Sequence, residues 1–298
     1  MGRKKVWLPF VSCVGILVAC GGGEYEHITK DKQEVRAAEA KGIATEEVIV
    51  STKPIQDLAL SDVIAEAQKV AARSTAHEGI VRSYEQWFIG DLLRTQYFET
   101  TYEQDESTED KRGGHILHYS QKVSTDEIEA RNEYYIHSGV VEYKYYGEID
   151  EWISVDLAFV EPEYTERISY LSPIDFLEMA EKYVNTMKIL RVTEESYIIK
   201  FIPVEDDLKW LIQNSTEPES YLFKEIFTYA YDSPMVVLTL SPKNFKIVDA
   251  LFSVNLQNTR NKGERIELSA KQQYNSYSLT NKISPPAKAF KQTGISIW

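Results

Sequence analysis

The feature that most constrains this chain is a repeated alternation of apolar and polar residues at period two. Across residues 128–136 the even positions are Ile128, Ala130, Asn132, Tyr134 and Ile136, and the odd ones are Glu129, Arg131, Glu133 and Tyr135. Successive strand side chains point to opposite faces, so this pattern predicts a half-buried strand. Ser138-Gly139 supplies a turn. Val141, Tyr143 and Tyr145 then alternate with Glu142, Lys144 and Tyr146, and after a second turn at 147–151 the stretch 152–159 sets Ile153, Val155, Leu157 and Phe159 on one face. Short turns between alternating segments predict an antiparallel meander. Segments 80–89, 92–102, 116–123, 188–192, 197–202, 235–240, 245–256 and 264–277 read as further strands.

Helical spacing interrupts the strands. Ser61 and Asp62 predict a capped start for a helix whose apolar stripe is Val63, Ile64, Ala67, Val70 and Ala71. Ser172-Pro173-Ile174-Asp175 predicts another, with proline where its missing N–H costs nothing and Ile174, Leu177, Met179, Ala180 and Val184 on its apolar side. Glu205-Asp206-Asp207 places negative charge at the N-terminus of a third, which carries Leu208, Trp210, Leu211 and Ile212. Residues 220–231 are read as one more. The expected folded domain is a single unit over 60–298, with no internal repeat.

The N-terminus carries a different signal. Arg3, Lys4 and Lys5 precede an uncharged, mostly apolar stretch at 6–19. That stretch is shorter than the about 20 residues a spanning helix needs, and Pro9 lies inside it. Leu17-Val18-Ala19-Cys20 follows, then Gly21-Gly22-Gly23. This order resembles the signal peptide and lipobox of bacterial lipoproteins. The resemblance implies cleavage before Cys20, lipid attachment (palmitate-type acyl chains) on Cys20, and residence at the extracytoplasmic face of the cell membrane. Residues 20–59 then read as the lipidated cysteine and a charged tether.

Composition narrows the function classes. There are 46 acidic and 33 basic residues, a net charge of −13, and removal of Arg3, Lys4 and Lys5 makes it more negative. Such a balance argues against nucleic acid as a partner and against electrostatic adhesion to anionic lipid, leaving the acyl anchor to hold the membrane. The two cysteines are Cys13 and Cys20; one falls in the leader and the other carries lipid, so no disulfide or cysteine metal cluster is expected.

Signatures of catalysis are lacking. The sequence contains no HExxH, GxSxG, Walker loop or GxGxxG, and no cofactor is expected. His115 and His118, three apart on a strand, fall on opposite faces, a poor arrangement for a shared metal. Glu161 and Glu163 flank Pro162, which favours a loop or edge. The acidic run at 105–110 reads as a solvated loop without the glycine and ligand order of a calcium loop. The expectation is a non-enzyme.

Taken in order, the capped helix near 61, Tyr134-Tyr135-Ile136-His137-Ser138-Gly139 leading through 140–146 to Trp152-Ile153, the Ser172-Pro173 helix, and closing strands ending near Ile283-Ser284-Pro285 resemble the LolA/LppX-like lipoproteins, including small uncharacterised Gram-positive members. That resemblance implies an α+β fold: a curved antiparallel β-sheet (an incomplete barrel) with helices covering its concave side, where relatives hold acyl chains or lipoproteins. The helical region near 205–231 departs from the pattern. In such a half-barrel, Tyr134, Ile136, Tyr143, Tyr145, Phe252 and Val254 are the candidate ligand-binding residues of the concavity, and Phe176 and Trp210 belong to the helical cover. The alternative is a filled core in a cell-envelope interaction or sensor domain that binds a protein partner.

Overall fold

A computed structural model of the protein describes residues 54–105, 116–125, 129–137, 140–146, 151–156, 170–215, 229–279, 281–287 and 289–291. The expected signal peptide, Cys20, the tether up to residue 53, His115, and Glu161 to Glu163 lie outside them.

After a 3₁₀ turn at Ile55–Asp57, the chain runs through α1 (Leu60–Ala71), β1 (Ala76–Ile89), β2 (Leu92–Asp105), β3 (Ile116–Thr125), β4 (Glu129–His137), β5 (Val140–Tyr145) and β6 (Ile153–Asp156). It continues through α2 (Pro173–Lys182), β7 (Lys188–Val192), β8 (Tyr197–Phe201), α3 (Glu205–Ser215), β9 (Tyr229–Leu240), β10 (Ile247–Asn258), β11 (Glu264–Ser276) and β12 (Phe290–Lys291). The strands form one sheet in the order β12-β6-β5-β4-β3-β2-β1-β11-β10-β9-β8-β7. All pairings are antiparallel except β12 with β6. Among the described residues β7 and β12 end the sheet without pairing with each other, so it is open.

Burial alternates along the strands as the sequence pattern predicts, strictly so along most of β1 and β10. The helices are short and amphipathic. Val63, Ile64, Ala67 and Ala71 of α1, Phe176, Leu177, Met179 and Ala180 of α2, and Leu208, Leu211 and Ile212 of α3 join one apolar cluster with the inward residues of β8, β9, β10 and β11. Burying a Phe or Leu side chain is worth about 1.5–3 kcal/mol, so this cluster is the main source of stability. Ile55 is 2% exposed and belongs to it, so the packed chain already includes residues ahead of Leu60.

Local chemistry fixes the helix ends. At α2, Ser172 and Asp175 form a reciprocal capping box; Ser172 N donates to Asp175 Oδ2 at 2.7 Å. At α1 the cap falls on Ala59 instead of Ser61, which lies inside the helix, and no side chain caps it. Tyr183, just past α2, ties that helix to α3: its hydroxyl donates to Asp207 Oδ2 at 2.7 Å and accepts from Val204 N at 2.7 Å.

Three sequence expectations change. Tyr229, Ala230 and Tyr231 are strand residues paired with Asn258, Gln257 and Leu256, so the helix read over 220–231 does not reach its end; the long β10 extends its partner backwards, and pairing overrides local propensity. Residues 220–228 lie outside the described residues. Phe245 is in a turn at φ 58°, ahead of β10 instead of inside it. The strand read over 152–159 is observed as Ile153–Asp156, with 157–159 outside the described residues.

One glycine is indispensable to the packing. A Cβ at Gly79 would lie 2.2 Å from Gln273 O and 2.8 Å from the Tyr102 hydroxyl. Gly79→Ala is therefore expected to destabilise by about 2–3 kcal/mol, read as a lower melting temperature, and an unchanged melting temperature would refute this packing.

Candidate functional site

Directly opposed residues of a sheet share a face, so register resolves the inner face into rows. One row is aromatic. Tyr274 of β11 lies opposite Gly79, Gly79 opposite Tyr102, Tyr102 opposite Tyr119, Tyr119 opposite Tyr134, and Tyr134 opposite Tyr143. The Tyr119 and Tyr134 rings stack at 4.6 Å between centroids, and Tyr170 stacks on Tyr102 at 4.5 Å. The absent side chain at Gly79 leaves the space that the Tyr102 hydroxyl fills.

The next row is polar: Gln272, Val81, Thr100, Gln121 and Asn132. Beyond it, Ser83 faces Ala270 and Phe98, and Glu85 faces Leu268 and Gln96. Ser83, Glu85, Gln96, Thr100, Gln121, Asn132 and Gln272 are all buried. Gln272 Nε2 donates to Tyr102 OH at 2.8 Å and to Leu171 O at 2.6 Å, and Tyr274 OH donates to the same carbonyl at 2.8 Å. Burial pushes the Tyr102 phenol strongly up, so it stays neutral. Glu85 accepts from Trp87 Nε1 at 3.3 Å. By contrast, Ser83 Oγ and Gln96 Oε1 have no hydrogen-bond partner among the described residues.

The inner face thus has two halves. Strands β8 to β11 meet the helices through an apolar cluster, while β1 to β5 present tyrosines, amides and a carboxylate. At their junction lies a cavity of ≈ 10 Å³ lined by Val81, Tyr170, Phe176, Asn214, Ala250, Phe252, Ala270 and Gln272. That is about the room one water needs. Its floor includes small Ala250 and Ala270, its lid Phe176 of α2 and Asn214 of α3.

The candidate residues distribute across this division. Phe176 and Phe252 line the cavity. Tyr134 and Ile136 are buried on the polar–aromatic half, Ile136 packing with Val81, Tyr102 and Leu117. Tyr143 is half-buried beside Tyr134. Val254 belongs to the apolar cluster, away from the cavity lining. Trp210 is 36% exposed on α3 and does not line the cavity. Tyr145 is opposite Asn132 in the backbone, and its side chain lies outside the described residues. Sequence reading missed Ala250, Ala270, Gln272, Ser83 and Gln96. The polar positions at apolar phase in β1 and β2 were a visible signal for the last two.

On the outer face, His118 sits between two carboxylates, with Nδ1 2.9 Å from Glu103 Oε2 and Nε2 3.0 Å from Glu133 Oε1. Tyr135 stacks on its ring at 4.1 Å. Tyr146 OH also donates to Glu133, and burial together with that carboxylate raises the Tyr146 pKa to about 12. Among the described residues no group of three or more His, Cys, Asp or Glu is placed to hold a metal ion.

No family model matches the chain, and no curated protein matches it. Among solved structures, it is similar to a DUF1329 family protein from Desulfovibrio piger, at 13% identity over 75% of this chain and 94% of that one, with a TM-score of 0.22. It is also similar to a putative outer membrane lipoprotein-sorting protein domain from Vibrio parahaemolyticus, at 12% identity over 72% of this chain and 91% of that one, with a TM-score of 0.23.

Burial opposes protonation of His118, but the paired carboxylates outweigh it and raise its pKa above the ordinary value. A raised folded-state pKa gives stability that is fully present below the unfolded value near ~6.5 and is lost as pH rises through the folded value. Melting temperature measured from about pH 6 to 9 should therefore fall on this account in the parent protein, and this component should vanish in His118→Gln. Parallel profiles for the two proteins would contradict it.

Proposed function

We propose that this protein is a non-catalytic envelope lipoprotein, anchored through acyl chains on Cys20 at the extracytoplasmic face of the membrane, that binds an amphipathic, lipid-like ligand between sheet and helices. The inner face supplies the supporting observation. A merely structural core gains nothing from facing polar side chains inward and leaving Ser83 Oγ and Gln96 Oε1 without partners among the described residues. Ser83 lies opposite Ala270, and Thr100 opposite Val81, both cavity residues. An apolar chain would lie against Phe176, Ala250, Phe252 and Ala270, its hydroxyl- or amide-bearing head reaching Ser83 and Gln96. In this reading α2 and α3 cover the concave side of a curved sheet.

Binding sites for small molecules run to roughly 300–1,000 Å³, far above the junction cavity. Ligand uptake therefore moves the end of α3 and the Tyr170 segment away from the sheet, and desolvation at about 25 cal/mol per Å² drives the exchange.

A second reading is favoured by a different observation. Around the sheet edge at β7, Ile189 (50%), Leu190 (54%), Ile202 (62%) and Val204 (60%) are exposed, a surface suited to a protein partner.

Native mass spectrometry of the full chain, delipidated in detergent and then offered a long-chain fatty acid or phospholipid, separates the two. A stoichiometric adduct is expected, weakened several-fold by Asn214→Trp at the cavity rim, with stability changed by under about 0.5 kcal/mol. An adduct-free spectrum at saturating lipid would reject the ligand reading and leave the edge.

A further inference from the structure

The outer face carries a row of charge that composition conceals. Following register across the sheet, Lys188 of β7 is directly opposite Lys200 of β8. The row continues through Val237 and Leu251 to Lys271 of β11, which is directly opposite Arg82 of β1. Arg82 is opposite Glu99, Glu99 opposite Lys122, and Lys122 directly opposite Arg131 of β4. Three pairs of like charge thus fall in one line, in a chain whose net charge is −13. Directly opposed like charges destabilise a sheet, so folding alone does not account for the arrangement.

Local carboxylates offset part of it. Arg82 Nε pairs with Glu99 at 2.7 Å, Lys271 with Asp249 at 3.3 Å, and Lys122 with Glu129. Arg131 lies over the Tyr146 ring at 5.0 Å. The row remains net positive, and its members stay accessible, with the side chains of Arg82, Lys271 and Lys122 at 39%, 46% and 53% exposure. At about 4.8 Å per strand it extends roughly 38 Å.

We infer that this row binds a linear, phosphate-bearing polymer laid across the strands. The shape of the charge selects a line over a plane. The row to one side is balanced, Arg191 and Lys144 against Asp249 and Glu133, and the row to the other carries Glu129, so the excess positive charge is confined to this one line. A continuous anionic bilayer would meet no excess of positive charge on either side of the row, whereas a single polyanionic strand follows it. Such a polymer would relieve the opposed cation pairs, and binding would release its condensed counterions. This site is on the face opposite the proposed ligand cavity and does not depend on it.

The test is titration of the full chain in detergent with long-chain inorganic polyphosphate, by calorimetry across a salt series. Six contacts predict a slope of log K against log salt of roughly −4, by the single-strand relation of about −0.7 per contact. The double variants Lys188→Gln/Lys200→Gln and Lys122→Gln/Arg131→Gln should each weaken binding at least tenfold and flatten the slope, with melting temperature unchanged or raised in the first, where repulsion is removed, and little changed in the second, where the Lys122–Glu129 pair and the Arg131–Tyr146 contact are lost with it. Absence of binding at low salt, or variants that bind as tightly as the parent, would overturn the proposal. So would a greater excess affinity for phosphatidylglycerol over phosphatidylcholine vesicles than for polyphosphate, or a preference for single-stranded DNA of equal charge.

Discussion

The pairing of β1 with both β2 and β11 is the joint on which the rest of the structure depends. It connects the meander β1 to β6 with the run β7 to β11, which meets the helices. Gly79 at that joint admits the Tyr102 hydroxyl and the close approach of Gln273 O. Because the register passes through β1 into strands on both sides, side chains distant in sequence fall into rows. The tyrosine row, the amide row and the outer cation row all depend on it. A one-residue slip there would exchange the faces and dissolve all three.

The two halves of the inner face are held by different physics. Between β8 and β11 the helices contribute Leu, Ile, Phe and Ala to a dry cluster, and the capping box at Ser172 with the Tyr183 bridge to Asp207 fixes how α2 and α3 approach. Between β1 and β5 the inward groups are stacked phenols and amides, held by specific bonds such as Gln272 to Tyr102 and to Leu171 O. Desolvation stabilises the first half without directional demand. The second requires partners for its polar atoms, and among the described residues Ser83 Oγ and Gln96 Oε1 find none.

How much of this was legible in the sequence follows from the range of each interaction. The alternation at 128–136 named the strand and its buried face, since strand phase is local, and Ser172-Pro173 with Asp175 announced its helix for the same reason. Tyr134 and Tyr143 were correctly placed on one face. That Tyr274 joins their row through a glycine nearly 200 positions earlier was not readable, because register between β1 and β11 is a property of the assembled sheet. The same limit hid the cation row, whose members read singly as an ordinary charged face. The helix read over 220–231 failed at Tyr229 to Tyr231 because the pairing with β10 overrode a local pattern. Trp210 drew notice by residue type, yet the cavity selects small residues such as Ala250 and Ala270, which carry no signal of their own.

An amphipathic molecule entering at the junction of these two halves would move the segments that close it. Hydrogen–deuterium exchange on the full chain, with and without a saturating long-chain fatty acid, tests it most directly. Altered exchange is expected at residues 170–176, in the last turn of α3, and around Thr100 to Tyr102, with the β7 edge unchanged. Exchange indifferent to the fatty acid at all three segments, or altered only at β7, would contradict it.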